Sequence, residues 1–141
     1  GYMNPGYEIL EHPADVGIEA RGPSLADAFA QAAEGLMSLI LDPVHVVQRE
    51  SRRIDLTASD TEQLLVRWLS EVLYLFDGCG FAASRFEVQL RTPASLTATV
   101  HGEIFSPSRH TARTDVKAVT YHLLHVRQSP DECVVRVYLD I

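Results

Sequence analysis

Apolar residues recur every three or four positions in two stretches of this chain and every second position through much of the remainder. In SLADAFAQAAEGLMSLIL, residues 24–41, the side chains of Leu25, Ala28, Phe29, Ala32, Leu36 and Ile40 fall on one helical face. Ser24 is placed to cap this helix, Asp27 follows at capping-box spacing, and Asp42-Pro43 ends it. Gly35 in mid-helix predicts a close approach by another element. A second helix is predicted over SDTEQLLVRWLSEVLYLF, residues 59–76, with Ser59 as cap and Glu62 as its partner. Its apolar face runs through Leu65, Trp68, Leu69, Val72, Leu75 and Phe76, and Asp77-Gly78 stops it.

The period of two predicts strands near 15–21, 44–57, 85–91, 95–103, 116–127 and 133–139. Ile54 and Leu56, then Phe86, Val88 and Leu90, then Leu96, Ala98 and Val100 mark the covered side of a half-buried sheet. RTPAS at 91–95 and QSPDE at 128–132 are hairpin signals, the second leaving the two final strands adjacent and antiparallel. Strand, helix, strand, helix and then a run of four strands define an α+β two-layer sandwich. A mostly antiparallel sheet of about six or seven strands is covered on one face by two helices, in a single domain spanning 1–141.

Composition narrows the setting. At 46% apolar and 22% charged, 141 residues can bury a core without disulfides or a structural metal. No apolar run approaches the ~20 residues that cross a bilayer. GYMNPGYE has neither the basic nor the apolar region of a secretion signal, so the expected location is cytoplasmic and no membrane partner is expected. Cys79 and Cys133 form no metal or disulfide pattern and read as reduced packing residues. A net charge of −7 disfavours direct stable nucleic-acid binding, which draws on Lys and Arg, and suits a basic protein partner or a cation.

The chemistry-bearing residues gather in two places. Glu11, His12 and Asp15 stand where a loop feeds the first predicted strand, and the sequence closes VYLDI with Asp140 next to Ile141. Carboxylates and carbonyl oxygens are the donors that hard cations select, so Asp15 and Asp140 are a minimal pair for one; the alternative is that each is a solvated charge at a strand end. His12, before a proline, reads as a packing residue or a ligand. Between Ser106 and Val126 lies a second dense stretch, including Arg109, His110, Asp115, Lys117, Tyr121 and His122. It fits either a charged edge strand guarding against aggregation or a contact surface with Lys117 as cation and Tyr121 as anchor. His122 and His125, three apart on a strand, are expected on opposite faces. Glycine-rich phosphate loops, G-x-S-x-G and H-E-x-x-H are absent from the sequence, and a His110–Asp115 dyad is the one acid–base pairing it offers.

Three segments in register, YEILEHPADVGIEARGPSLADAFAQAAEGL, LLVRWLSEVLYLFD and VKAVTYHLLHV with the closing VYLDI, resemble archease over nearly the whole chain. The specific marks are H-x-A-D at His12 to Asp15, K-A-V-T-Y-H at Lys117 to His122, and L-D-I. The resemblance implies a non-enzymatic accessory protein in tRNA splicing and RNA repair. Such a protein stimulates guanylylation and multiple turnover of the GTP- and metal-dependent RNA ligase that joins 2',3'-cyclic phosphate or 3'-phosphate ends to 5'-hydroxyl ends. It also implies a divalent metal ion, calcium or magnesium with manganese possible, held by Asp15, Asp140 and an oxygen of Ile141. His12, Lys117, Tyr121 and His122 would support that site or touch the ligase. A chaperone-like interaction module is the runner-up reading, and a small metal-dependent phosphodiesterase the third.

Overall fold

Local signals at the chain's helix ends set where each helix starts and stops, and the strands then fall to either side. In the computed structural model, residues 4–12 and 15–141 are described, without the side chains of Glu11 and His12. Among them the order is β1 (Gly6–His12), β2 (Asp15–Gly22), α1 (Leu25–Ile40), β3 (Glu50–Thr57), α2 (Thr61–Asp77), β4 (Phe81–Thr92), β5 (Ser95–Ile104), β6 (Ala118–Gln128) and β7 (Cys133–Asp140). A 3-10 turn at Pro43–His45 follows α1.

Ser24 caps α1 as its position predicts. Its Oγ accepts the Asp27 N–H at 3.1 Å and donates to Asp27 Oδ2 at 2.7 Å. At the other end the helix's last four carbonyls all find donors. Leu41 N–H reaches Met37, the Arg113 guanidinium reaches Ser38, Thr114 N–H reaches Leu39, and Arg113 N–H reaches Ile40. The capping signal of α2 sits one residue later than Ser59 and Glu62. Asp60 accepts the Gln63 N–H at 2.8 Å, and the Gln63 side chain accepts the Ser59 N–H at 2.7 Å. A carboxylate is a strong N-cap acceptor, and Gln serves as well as Glu for the return bond, so the Asp60 register wins. Gly80, with φ of +65°, supplies the left-handed step that turns the chain from α2 into β4.

The architecture is an α+β sandwich, with the seven described strands divided between two sheets ordered β1-β2-β7-β6 and β3-β5-β4. Every pairing is antiparallel. Both helices touch both sheets: α1 packs on β2, β7 and β4, and α2 on β6, β4 and β3. One apolar cluster therefore serves the whole fold, with Ile18, Val135, Val137 and Leu139 from the first sheet meeting Phe86, Leu96 and Val100 from the second. Trp68 is fully buried between the helices, and its indole N–H donates to the Phe29 carbonyl at 3.0 Å, which removes the penalty of an unpaired buried donor. Gly35 does permit close packing, since a Cβ there would lie 3.0 Å from Ile18 and 3.1 Å from the Tyr7 ring.

β1 lies outside the predicted strands, β4 runs from Phe81 to Thr92 where the alternation predicts 85–91, and β3 and β6 also depart from expectation. β1 escapes the period of two because YEIL sets two apolar residues side by side, and as an edge strand it leaves Tyr7 and Ile9 each 38% exposed. The strand predicted from 44 begins only at Glu50, because Asp42 accepts the Val44 N–H at 3.1 Å and Pro43 then favours a 3-10 turn. β6 carries a wide bulge. Between the pairs Thr120↔Tyr138 and His125↔Arg136 the chain takes five residue steps on β6 against two on β7. Leu123, at φ of +52°, sits in it. The bulge falls between His122 and His125, so simple alternation does not relate their side chains, and both are exposed.

A smaller bulge in β4 leaves Ser84 between Ala83, opposite Gly102, and Arg85, opposite His101. Gly102 has no room for a side chain: a Cβ would stand 2.8 Å from the Ala82 carbonyl carbon and closer still to its oxygen. Gly102→Ala therefore forces two backbones apart. The expected result is a loss of roughly 3 kcal/mol, read from the urea midpoint with an unchanged slope.

Candidate functional site

The side chains of β2 and β7 that point away from the helices form an ordered series. Antiparallel register places Gly22 opposite Cys133 at one end and Asp15 opposite Asp140 at the other. On the outward face the opposed pairs are Glu19 with Arg136, Gly17 with Tyr138, and Asp15 with Asp140. The first is an ion pair at 2.8 Å, extended by Arg21, which lies 3.3 Å from Glu19 and 3.1 Å from Glu8. The second is an aromatic ring over a glycine: a Cβ on Gly17 would come within 2.8 Å of the Tyr138 ring. The Tyr138 ring also meets that of His122 edge-on, centroids 6.1 Å apart. The third sets two carboxylates directly across from each other, an arrangement that is unfavourable unless positive charge joins it.

His12 on β1 is the backbone partner of Asp15, and Ala118 on β6 that of Asp140, so one row crosses all four strands at this end of the sheet. The His12 side chain, with Pro13 and Ala14, lies outside the described residues. Lys117 donates its backbone N–H to the Asp140 carbonyl at 2.8 Å, and its side chain is exposed. Ile141 follows Asp140 directly and is 42% exposed. Tyr121, 58% exposed, stands on β6 at the start of the bulge and lines a groove of about 560 Å³ toward α2 that Tyr74 also borders. The donor set of Asp15 and Asp140 is all oxygen, which suits a hard cation. Among the described residues no three His, Cys, Asp or Glu side chains gather into one group.

The polar residues of the Ser106–Val126 stretch divide in two. His110 is fully buried, but its partner is Glu103, at 2.9 Å, and not Asp115. His110 Nδ1 accepts the Ser106 N–H at 2.8 Å, so Nε2 carries the hydrogen given to Glu103. Glu103 also accepts from Val47 N–H at 2.8 Å, from Arg49 Nε at 2.9 Å and from Arg109. The Val47 N–H, above the other donors, holds its carboxyl down to about 2 against the opposing effect of burial. Sequence alternation gives no sign of this centre, because Glu103 is on the polar phase of β5 and is buried only where the segments at Val47–Arg49 and Ser106–His110 fold over it. Asp115 instead faces Asp77, whose carboxyl is raised by burial and by that neighbouring charge.

The fold is an α+β sandwich of two antiparallel sheets whose outer face ends in the opposed carboxylates of Asp15 and Asp140. The chain belongs to the archease family: the model of the Archease protein family (MTH1598/TM1083) matches residues 7–141. It is 37% identical over 139 residues to a protein archease of Methanosarcina acetivorans, covering 96% of this chain and 95% of that one. It is 38% identical over 136 residues to one from Saccharolobus islandicus, covering 96% and 98%. The solution structure of Methanobacterium thermoautotrophicum protein 1598 superposes with a TM-score of 0.83 at 31% identity, covering 96% of this chain and 99% of that one. A Thermotoga maritima crystal structure, described as an archease and possible chaperone, shares the fold with a TM-score of 0.59 at 23% identity, covering 100% and 99%. Among the described residues no helix is long and apolar enough to cross a membrane.

Proposed function

We propose that this protein is a cytoplasmic, non-enzymatic accessory factor of the GTP- and metal-dependent RNA ligase that seals tRNA halves and repairs RNA, joining 2',3'-cyclic phosphate or 3'-phosphate ends to 5'-hydroxyl ends. The observation that carries the reading is the opposition of Asp15 and Asp140 at the end of the sheet. These two carboxylates, with an oxygen of Ile141, would hold a calcium, magnesium or manganese ion, which when bound supplies compact positive charge and Lewis acidity to whatever approaches the tip. The chain's own part is positional. The β2–β7 ladder fixes the spacing of the acids, Lys117 stands beside them, and Tyr121 and His122 offer contact area to the ligase, so that the tip favours the arrangement in which the ligase histidine attacks GTP.

Guanylylation of the ligase, followed with labelled GTP, tests this reading directly. Catalytic amounts of the protein should raise both the rate of histidine guanylylation and the number of ligation turnovers, and Asp15→Ala or Asp140→Ala should remove the effect. Cyclic-phosphate RNA incubated with the protein and divalent ions alone should remain unchanged; turnover without ligase would favour a phosphodiesterase. A chaperone-like module is the second reading, supported by the description of the Thermotoga protein and by exposed Tyr74, Tyr121 and Leu123. It expects partners captured equally with and without chelator and no change in guanylylation.

A further inference from the structure

A second cavity, of about 180 Å³, lies between β1, α1 and β4, lined by Tyr7, Glu34, Met37, Ser84 and Phe86 with Pro43 at its margin. Its walls are apolar: Met37 and Phe86 are buried, and the Tyr7 ring reaches the helix because Gly35 has no side chain to hold it off. Two polar residues are among those that line the cavity. Ser84 is the bulged residue of β4, displaced from the ladder, and its Oγ is buried without a hydrogen-bond partner. Glu34 is half-buried on α1; burial pushes its carboxyl upward, and Gln31 is its side-chain hydrogen-bond partner. Among the described residues no cationic side chain pairs with it, although most acids on the sheets have an arginine.

An acidic acceptor with no cationic partner among the described residues and a hydroxyl lacking a hydrogen-bond partner, set beside apolar walls, together specify the group that would satisfy them. A neutral donor would bond to both but leave the charge of Glu34 unmatched. A guanidinium carries its donors in a rigid fork suited to one planar anion, whereas an ammonium is compact, has three rotatable donors and follows an aliphatic stem. We propose that this cavity binds an alkylammonium group, with the nitrogen between the Glu34 carboxylate and Ser84 Oγ and the methylenes against Tyr7, Met37 and Phe86. A lysine side chain of a partner protein and a free polyamine both carry that chemistry. The assignment is independent of the acid pair on the outer sheet face.

NMR titration of the isotope-labelled full chain with n-butylammonium and, separately, with n-butanol tests the site. Saturable shifts should appear at the Met37 methyl and the Ser84 amide, with butanol binding about tenfold more weakly or worse. Glu34→Gln, a substitution at a half-exposed helix position, should weaken butylammonium by about the same factor while the remaining spectrum stays folded. Equal response to the alcohol, or unchanged affinity in Glu34→Gln, would overturn the proposal. Nα-acetyl-lysine amide and putrescine identify the source: tighter binding of the first points to a protein lysine and of the second to a polyamine, and binding of neither overturns the site.

Discussion

Asp140→Asn is expected to remove the stimulation of ligase guanylylation while leaving the protein folded. Asp15 and Asp140 are directly opposed on the outward face, and the change removes one of the two carboxylates proposed to hold a hard cation. Loss of a direct ligand should lower metal affinity by more than about a hundredfold, the upper end of what losing an outer partner costs. Asp15→Asn should behave alike, and the double variant should add nothing further to the loss of stimulation. Calcium titration by calorimetry, urea denaturation in chelator and the guanylylation assay read the three quantities separately. Normal stimulation by both single variants would remove the acid pair from the mechanism.

Glu103→Ala should produce the largest loss of stability of any polar substitution, with melting lowered on the order of 10 °C. The reason lies in its partners. Val47 N–H, Arg49, Arg109 and the Nε2–H of His110 are all donors that converge on this one acceptor, and of them His110 is buried, so its hydrogen would be left with no partner and no water. Glu103→Gln is not conservative here either, because the amide nitrogen would point one more donor at this ring of donors. The pH dependence has a definite direction. The carboxyl titrates near 2 in the folded protein against an ordinary 4.5, so its contribution is complete above 4.5, declines as the pH falls through that window and is gone below 2. Thermal melts from pH 5 to pH 2 should show the wild type losing stability more steeply than Glu103→Gln, whose residue has no charge to lose. Parallel curves would show that Glu103 is not the group responsible.

What could be read before the structure follows the range of the interactions concerned. Helix faces and ends depend on residues three or four apart, and so the α1 cap at Ser24 and its stop at Asp42-Pro43 are visible in the string. The α2 cap shows the limit of that reading, since Ser59/Glu62 and Asp60/Gln63 satisfy the same spacing and only the fold chooses between them. Bulges leave no local mark: nothing in VTYHLLHV announces that Leu123 takes a left-handed conformation. The division of the strands into two sheets is equally invisible, because alternation tells which face is buried and not which neighbour is paired. Residue chemistry offers Asp15 and Asp140 as a pair but leaves them readable as separate strand-end charges, and the resemblance favours the pair, since their closeness depends on a register between opposite ends of the sequence. Glu103 was hidden for a related reason. Its burial is made by the loop that follows β5 and by a second from more than fifty residues away, and its phase in β5 reads as solvent-facing.

The last three carbonyls of α1 receive their donors from Arg113 and Thr114, two of them across 75 residues of chain. The helix is thus not a self-contained unit. During synthesis, which proceeds from the N-terminus, its final turn must stay hydrated until the segment before β6 has left the ribosome. The last turn of an early helix then becomes one of the later events of folding, and the loop that completes it is also the one that brings Lys117 to the acidic tip.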